Sequence, residues 1–414
     1  MNKHRWSRQR ALLSGGLAFA LILTACDAEA DDPAEEEVPD VEDDVEDDVE
    51  ETDEAAERDD DAAAEACPEP VDVTFAQLLS VTGPIAEFVE PHFNAAEMAI
   101  QDAEDEGVNV NVNVVTEDVV NTPEDAVSAF ERALREEPSA VYGAPLSTQT
   151  EVIAAGAADA DTILLAPNAI EVAGFGPKSF NAIPTFTEHQ VPEATDQLLE
   201  AFDLETAVYI APSDYATGQE VNAIREEILQ ENGVETLGHE ETLSEQTDFS
   251  SVATRIVNED PDIVVEDLQN TVVFHQQLRD AGYEGLVFGA GGIGTPTALE
   301  AGGEALEGAL TFLAWHPESS PTSISDDWVE RYEEAYGTVP GQFPPPIYDA
   351  IRLFLLAAEQ ACSDDPGEIA EAMTEVEYSG VTGDPIAFDE TQALPADPVL
   401  VRIEDGSYVP VLTD

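Results

Sequence analysis

Basic residues are nearly missing from this 414-residue chain: 14 Lys and Arg stand against 90 Asp and Glu, a formal net charge of -76. Such a surface repels polyanions, which excludes nucleic acid as a partner and excludes anionic membrane surfaces as docking sites over most of the molecule. Cysteine is scarce as well, at three residues, with no pair at zinc-ligand spacing, and the six histidines include no H-x-x-x-H pair. No G-x-S-x-G elbow marks a serine hydrolase. The apolar run Ala11 to Leu23 is short for a bilayer span. What is present in quantity is apolar residue, at 43%, on a chain long enough for two domains and a large core, so the high charge does not imply disorder throughout.

The charge is unevenly placed. Lys3, Arg5, Arg8 and Arg10 precede the apolar run, and small residues lead to Cys26, the layout of an export signal over residues 1–26. From Asp27 to Ala66 there are 23 acids and one Arg, in repeats such as VEDDVEDDVEE. That stretch, 27–66, cannot bury enough apolar surface to fold, and its charges extend it into a stalk. No spacing in it matches an EF-hand loop. The remainder keeps 67 acids against nine bases, of which Lys178 is the one lysine. A surface of that kind needs concentrated cations to screen it, which points to a salt-adapted source.

From Val71 the texture alternates between strand and helix. Val71, Val73 and Phe75 alternate in a first strand, Glu87 to Glu104 has helical spacing, and Val108 to Val114 alternate again. A helix from Pro123 to Glu136 follows. A second run of the same kind begins near Gln190, with strands at Thr206 to Ala211, Val234 to Glu241, Ile263 to Leu268 and Leu286 to Gly289 and helices between them. Alternation of this kind gives an α/β fold of two doubly wound parallel-sheet lobes. The late helices at Asp326 to Tyr336, Tyr348 to Ala361 and Gly367 to Met373, and the strands at Val399 to Ile403 and Tyr408 to Leu412, have too little sheet to stand alone. They are expected to return to the earlier lobes: 67–188 completed by about 315–395, and 189–314 completed by about 396–414.

The stretch Ala140 to Ile170 reads as strand, helix, strand. Gly143 to Thr148 turns into the helix, so Ser147 and Thr148 fall where a cap residue offers its hydroxyl beside free backbone N–H groups, a place for a small anion. Ala166-Pro167-Asn168-Ala169 forms a second loop beside the first, and in such sheets ligands bind outside the carboxyl ends of the strands.

Five stretches in order, Leu78 to Glu104, Gly143 to Thr150, Ser213 to Gln219, Leu278 to Gly285 and Ile347 to Ala357, resemble the leucine/isoleucine/valine-binding protein family, the type I periplasmic binding proteins that serve ABC importers. Leu23-Thr24-Ala25-Cys26 resembles the lipobox of bacterial lipoproteins, with Cys26 lipidated. The resemblance implies a hinged, lipid-anchored receptor on the outer face of the cytoplasmic membrane. It would bind a small organic ligand, present it to a membrane permease, and carry neither enzymatic activity nor cofactor. It implies a ligand carboxylate held by Ser147 and Thr148 and by Asn168, Ala169 and Ile170, although a serine or threonine common near Ile170 is missing. Tyr215 matches a ligand-facing tyrosine, and Phe88 an aromatic wall.

The acid that holds an amino group in this family corresponds to Gly291. Either Glu171 or Asp267 therefore supplies the charge, or the ligand carries no ammonium and is an amide, a urea-like compound or an aromatic acid. Gln269 and Asn270 would suit an amide, hydroxyl or carbonyl. The glycines from Gly289 to Gly294 also spell G-x-G-x-x-G, but a proper helix and a strand-end acid do not follow, so a dinucleotide enzyme is the remote alternative to a receptor or sensor. Cys67 and Cys362 are free to pair in an oxidising compartment.

Overall fold

Residues 67–411, apart from 84, 121, 291, 320 and 321, are described by a computed structural model. The export signal with Cys26, the acidic stretch 27–66 and Gly291 lie outside the described residues. Five parallel strands, β1 (Val71–Leu79), β2 (Val110–Asp118), β3 (Ala140–Gly143), β4 (Ile163–Ala166) and β5 (Ser179–Asn181), form the first sheet in the order β2-β1-β3-β4-β5. Successive side chains of a strand leave on opposite faces. Phe75, Leu79 and Tyr142 accordingly enter one apolar cluster with helix α1 (Ala86–Asp105), while Ala76, Leu78 and Val141 enter another with α2 (Pro123–Ala133) and α3 (Ser147–Asp159).

The second sheet runs β12-β11-β10-β9-β8-β6-β7. Its strands β6 (Thr206–Pro212), β7 (Glu235–Thr242), β8 (Ile263–Glu266), β9 (Leu286–Gly289) and β10 (Leu310–Leu313) are parallel. Helices α4 (Val191–Ala201), α5 (Ala216–Glu231), α6 (Ser250–Glu259), α7 (Thr271–Asp280) and α8 (Pro296–Gly302) alternate with them. The antiparallel hairpin β11 (Val399–Glu404) and β12 (Ser407–Pro410) closes the sheet. Its turn is Asp405-Gly406 with positive φ at both residues, the pairing a two-residue hairpin of matching twist demands.

The chain passes between the sheets three times, along 182–190, 314–324 and 394–398. Between the second and third passages α9 (Ser325–Tyr336), α10 (Pro344–Ala361) and α11 (Pro366–Met373) pack back onto the first sheet. Helix α10 is apolar nearly all round and buried along most of its length, with Phe354 lying 5.8 Å from the Phe75 ring. The sequence spacing starts this helix at Tyr348. It starts four residues earlier because Pro344, Pro345 and Pro346 occupy the first turn, where the backbone N–H groups they lack would have no helical partner.

Two devices fix α10 in place. Buried Asp349 accepts hydrogen bonds from the N–H groups of Val381 (2.9 Å) and Thr382 (2.7 Å), from the Thr382 hydroxyl (2.6 Å) and from the Tyr378 hydroxyl. At the helix end Cys362 is joined to Cys67 by a disulfide, with Cα atoms 5.4 Å apart. Two short elements have no periodic signal in the sequence: β5, three residues long, and the π-helical turn Phe186–Gln190 on the first passage. Among the described residues no helix is long and apolar enough to cross a membrane.

Candidate functional site

The first passage leaves the carboxyl end of β5 and the second leaves the carboxyl end of β10. The carboxyl edges of both sheets therefore border the inter-lobe side. Gly143 ends β3 at φ +138°, and a Cβ there would stand 2.4 Å from the Leu78 carbonyl oxygen, so only glycine allows the turn against β1.

Beyond it, Leu146 rather than Ser147 is the residue preceding α3, and its N–H donates to Gln149 Oε1 at 3.3 Å. Ser147 and Thr148 thus sit inside the first turn, not at the cap position the sequence suggests. Both are exposed, and their hydroxyls and N–H groups find no partner among the described residues. The cap correction leaves those hydroxyls free rather than committed to the helix.

The loop after β4 is braced from below. Asn168 Nδ2 donates to the Ala144 carbonyl (3.1 Å) and to Thr150 Oγ1 (2.6 Å), which itself donates to Ala144 (2.9 Å). Asn168 is therefore a strut whose donors are spent, and only its buried Oδ1 lacks a partner. Asn181 Nδ2 holds the carbonyls of Asn168 (3.0 Å) and Ile170 (2.5 Å), while its Oδ1 accepts from Val172 N (3.2 Å). These bonds turn the carbonyls inward and leave the N–H groups of Ala169 and Ile170 without partners among the described residues.

An aromatic group adjoins this face. Phe88 is 41% exposed and meets Phe343 edge-on at 5.8 Å. One helical turn on, buried His92 bonds through Nδ1 to the Tyr142 hydroxyl at 2.9 Å. Burial holds His92 down at about 4, so it is neutral, and its Nε2 is buried without a partner. Sequence reasoning missed His92 and Tyr142. The four-residue spacing from Phe88 on one helix face is the signal that would have found the histidine.

On the second face Tyr215 precedes α5 and lies half-buried over Gly218, where a Cβ would stand 2.6 Å from its ring. Asn270 spends its amide donors on the carbonyls of Ser244 and Gln246, both at 3.0 Å, so it holds a loop together, whereas exposed Gln269 makes no hydrogen bond among the described residues. Of the two candidate acids, Glu171 is exposed and accepts from the Thr187 hydroxyl on the first passage. Asp267 follows β8 and is buried; burial pushes its carboxyl up to about 7, with Arg225 opposing and Glu266 adding to the rise. It also contributes, after burial, to raising the Tyr215 hydroxyl. Gly292, beside undescribed Gly291, packs against the Leu268 carbonyl.

Several of the few bases are paired away from the first face, Arg132 with Glu117, Lys178 with Asp161, Arg331 with Asp102 and Arg352 with Glu106, while Arg225 is buried behind the second. An anion in this cleft would accordingly be held by N–H and hydroxyl dipoles. The G-x-G-x-x-G glycines lead only to α8, seven residues long, and to β10, which ends without an acid. A hollow of about 550 Å³ lined by Asp72, Glu137, Asp161 and Asp365 lies at the opposite, amino end of the first sheet, away from this chemistry.

Two parallel-sheet lobes, crossed three times and opposing their carboxyl edges, define a hinged solute-binding protein. Residues 72–407 match the periplasmic binding protein family model, and the chain belongs to that family, in its type I branch with the Leu/Ile/Val-binding proteins. It is 23% identical over 317 residues to the leucine-, isoleucine-, valine-, threonine- and alanine-binding protein of Pseudomonas aeruginosa, covering 75% of this chain and 84% of that one. The fold matches the leucine-binding protein LivK of Thermotoga maritima, with TM-score 0.68 and 22% identity, over 82% of this chain and 97% of that one. It also matches an ABC-transporter solute-binding protein of R. palustris in complex with benzoate, with TM-score 0.65 and 18% identity, over 83% and 98%.

Proposed function

We propose that this protein is the extracytoplasmic solute-binding receptor of an ABC importer and closes on a small carboxylate-bearing ligand, a branched-chain or other amino acid. The observation that carries this reading is the row of unpartnered donors on one cleft face: the hydroxyls and N–H groups of Ser147 and Thr148 beside the N–H groups of Ala169 and Ile170. Donors fixed by Asn168 and Asn181 before the ligand arrives cost little to order on binding. The lobes are residues 67–188 with 315–395, and 189–314 with 396–414; closure brings Tyr215 and Gln269 toward the anion, shifting a population between open and closed forms. Cys26 carries the lipid, 27–66 is the stalk, and the closed form docks on a permease. The protein performs no turnover.

A second ligand class, aromatic acids, draws support from the Phe88–Phe343 pair at the cleft edge and from the benzoate-binding relative. Calorimetric titration of the mature protein in molar KCl with leucine, an aliphatic amide and benzoate tests both. Binding of leucine or benzoate that Ser147→Ala weakens is the expected result. Tight binding of the amide alone, unaffected at Ser147, would remove the carboxylate grip.

A further inference from the structure

Side chains as well as backbone join the two lobes. Gln342 lies in the segment between α9 and α10, which pack on the first sheet, and its amide is shared between two groups of the second lobe. Oε1 accepts from the N–H of Ala314, the residue that follows β10, at 2.9 Å, and Nε2 donates to the Gly294 carbonyl in the loop after β9 at 3.1 Å. A backbone N–H can only donate and a carbonyl only accept, so both bonds are made in one orientation of the amide. Strands β9 and β10 are neighbours in the second sheet. The first lobe is thereby clipped across their carboxyl ends.

Both ends of the clip are held. On the second lobe, the Tyr408 hydroxyl shares its proton between the carbonyls of Ile293 (2.8 Å) and Thr295 (3.0 Å), and Thr295 Oγ1 caps α8 by accepting from Ala298 N at 3.2 Å. Gly294, between those two residues, gives its carbonyl to Gln342 instead. On the first lobe, Pro344, Pro345 and Pro346 follow within four residues and fix φ through the first turn of α10, the helix that Asp349 and Cys362 fasten. Phe343, next to Gln342, meets Phe88 edge-on at 5.8 Å and lies 5.8 Å from the His92 ring. The amide that grips the second lobe is thus one residue away from the aromatic group of the first.

A side chain that bonds across a hinge biases the lobes toward the separation at which both of its bonds are made. Resting on the receptor reading above, we propose that Gln342 is a positioning residue of the cleft: it limits how far the second face swings from the Phe88–Phe343 pair and keeps the empty receptor near its binding-ready separation. The apparent affinity of a receptor falls with the fraction of molecules in the competent form. Gln342 raises that fraction before a ligand arrives, without itself touching the ligand.

Electron–electron resonance distances on the mature protein in molar KCl read the separation directly. Spin labels at Val152→Cys on α3 and Leu243→Cys after β7 place one exposed probe on each lobe, with Cys26→Ser and the Cys67–Cys362 pair leaving no other thiol to label. Gln342→Leu removes both bonds at similar size. Gln342→Glu keeps an acceptor for Ala314 N but has no proton for the Gly294 carbonyl, so it isolates the bond to the loop after β9. Both variants should lengthen and broaden the distance in the empty protein and leave the ligand-bound distance as in wild type. In calorimetry leucine and benzoate should each bind about fivefold more weakly, through faster dissociation. A Gln342→Glu variant with wild-type distances would show that the Gly294 bond restrains nothing and overturn the proposal. Tighter binding in either variant would also overturn it, because the clip would then hold the lobes away from the bound form. A lowered melting temperature with unchanged distances would assign Gln342 to packing alone, with the same result. Failure of the wild type to bind either solute would remove the ligand reading, while the distances in the empty protein still decide the clip.

Discussion

The first lobe meets the cleft with neutral donors on a fixed frame, whereas the second meets it with a buried acid, Asp267, whose carboxyl burial pushes up to about 7 against the pull of Arg225. In the first lobe, Ser147 and Thr148 present hydroxyls and N–H groups from a helix start, and the carbonyls of Ala144, Asn168 and Ile170 beneath them are tied by Asn168, Thr150 and Asn181. The second lobe buries Arg225, Glu266 and Asp267 within a few residues of its carboxyl edge. The contrast is between two kinds of polar face: unpartnered hydroxyls and backbone N–H groups on one side, and a buried acid with buried Arg225 nearby on the other. The frames differ as well, since Asp349 and the Cys67–Cys362 disulfide both staple the first lobe.

Salt acts on both lobes alike and is expected to give the largest effect. With 67 acids against nine bases from Cys67 onward, the melting temperature should rise steeply from dilute to molar KCl; a flat curve would mean the surface is not salt-adapted. Breaking the first frame comes next. Asp349→Ala leaves two buried N–H groups and two hydroxyls unpaired and should cost about 3–5 kcal/mol in denaturant unfolding. A cost below about 1 kcal/mol would show that the 378–382 loop does not depend on that carboxylate.

The disulfide ranks third. It closes a separation of 295 residues, and Cys362→Ser should lower stability by about 2–4 kcal/mol, with both thiols of the wild type resisting alkylation unless reductant is present. Free thiols in exported protein would remove this staple. The smallest effect sharpens the contrast between the faces: Ser147→Ala should weaken a carboxylate ligand by about 1.5–3 kcal/mol and leave unfolding unchanged. Tyr215→Ala should weaken the same ligand from the opposite side without destabilising the fold.

Much of this architecture was legible in the sequence, because period-two and helical spacing set the order of strands and helices to within a few residues. The misreadings have local causes. The spacing starts the tenth helix at Tyr348, whereas the helix takes in Pro344, Pro345 and Pro346, which it tolerates in its first turn. Ser147 looked like a cap, yet Leu146 holds that position with Gln149 closing the turn. Asn168 and Asn270 carry the polar groups a ligand would want, but their donors are spent on neighbouring backbone, which no spacing rule reveals. Asp267 entered as one of two acids, and only burial separated it from exposed Glu171. His92 and Tyr142 meet across 50 residues of sequence, beyond the reach of any local pattern.

Asn181 sets a limit on redesign. Its side chain fastens the loop after β4, and its backbone accepts from Leu394 N and donates to the Gln392 carbonyl beside the third passage between the lobes. Retailoring that loop for a bulkier solute would therefore disturb the pivot itself. New specificities in this scaffold are more safely sought by varying Tyr215, Gln269 and their neighbours, where a change in taste does not have to be also a change in gait.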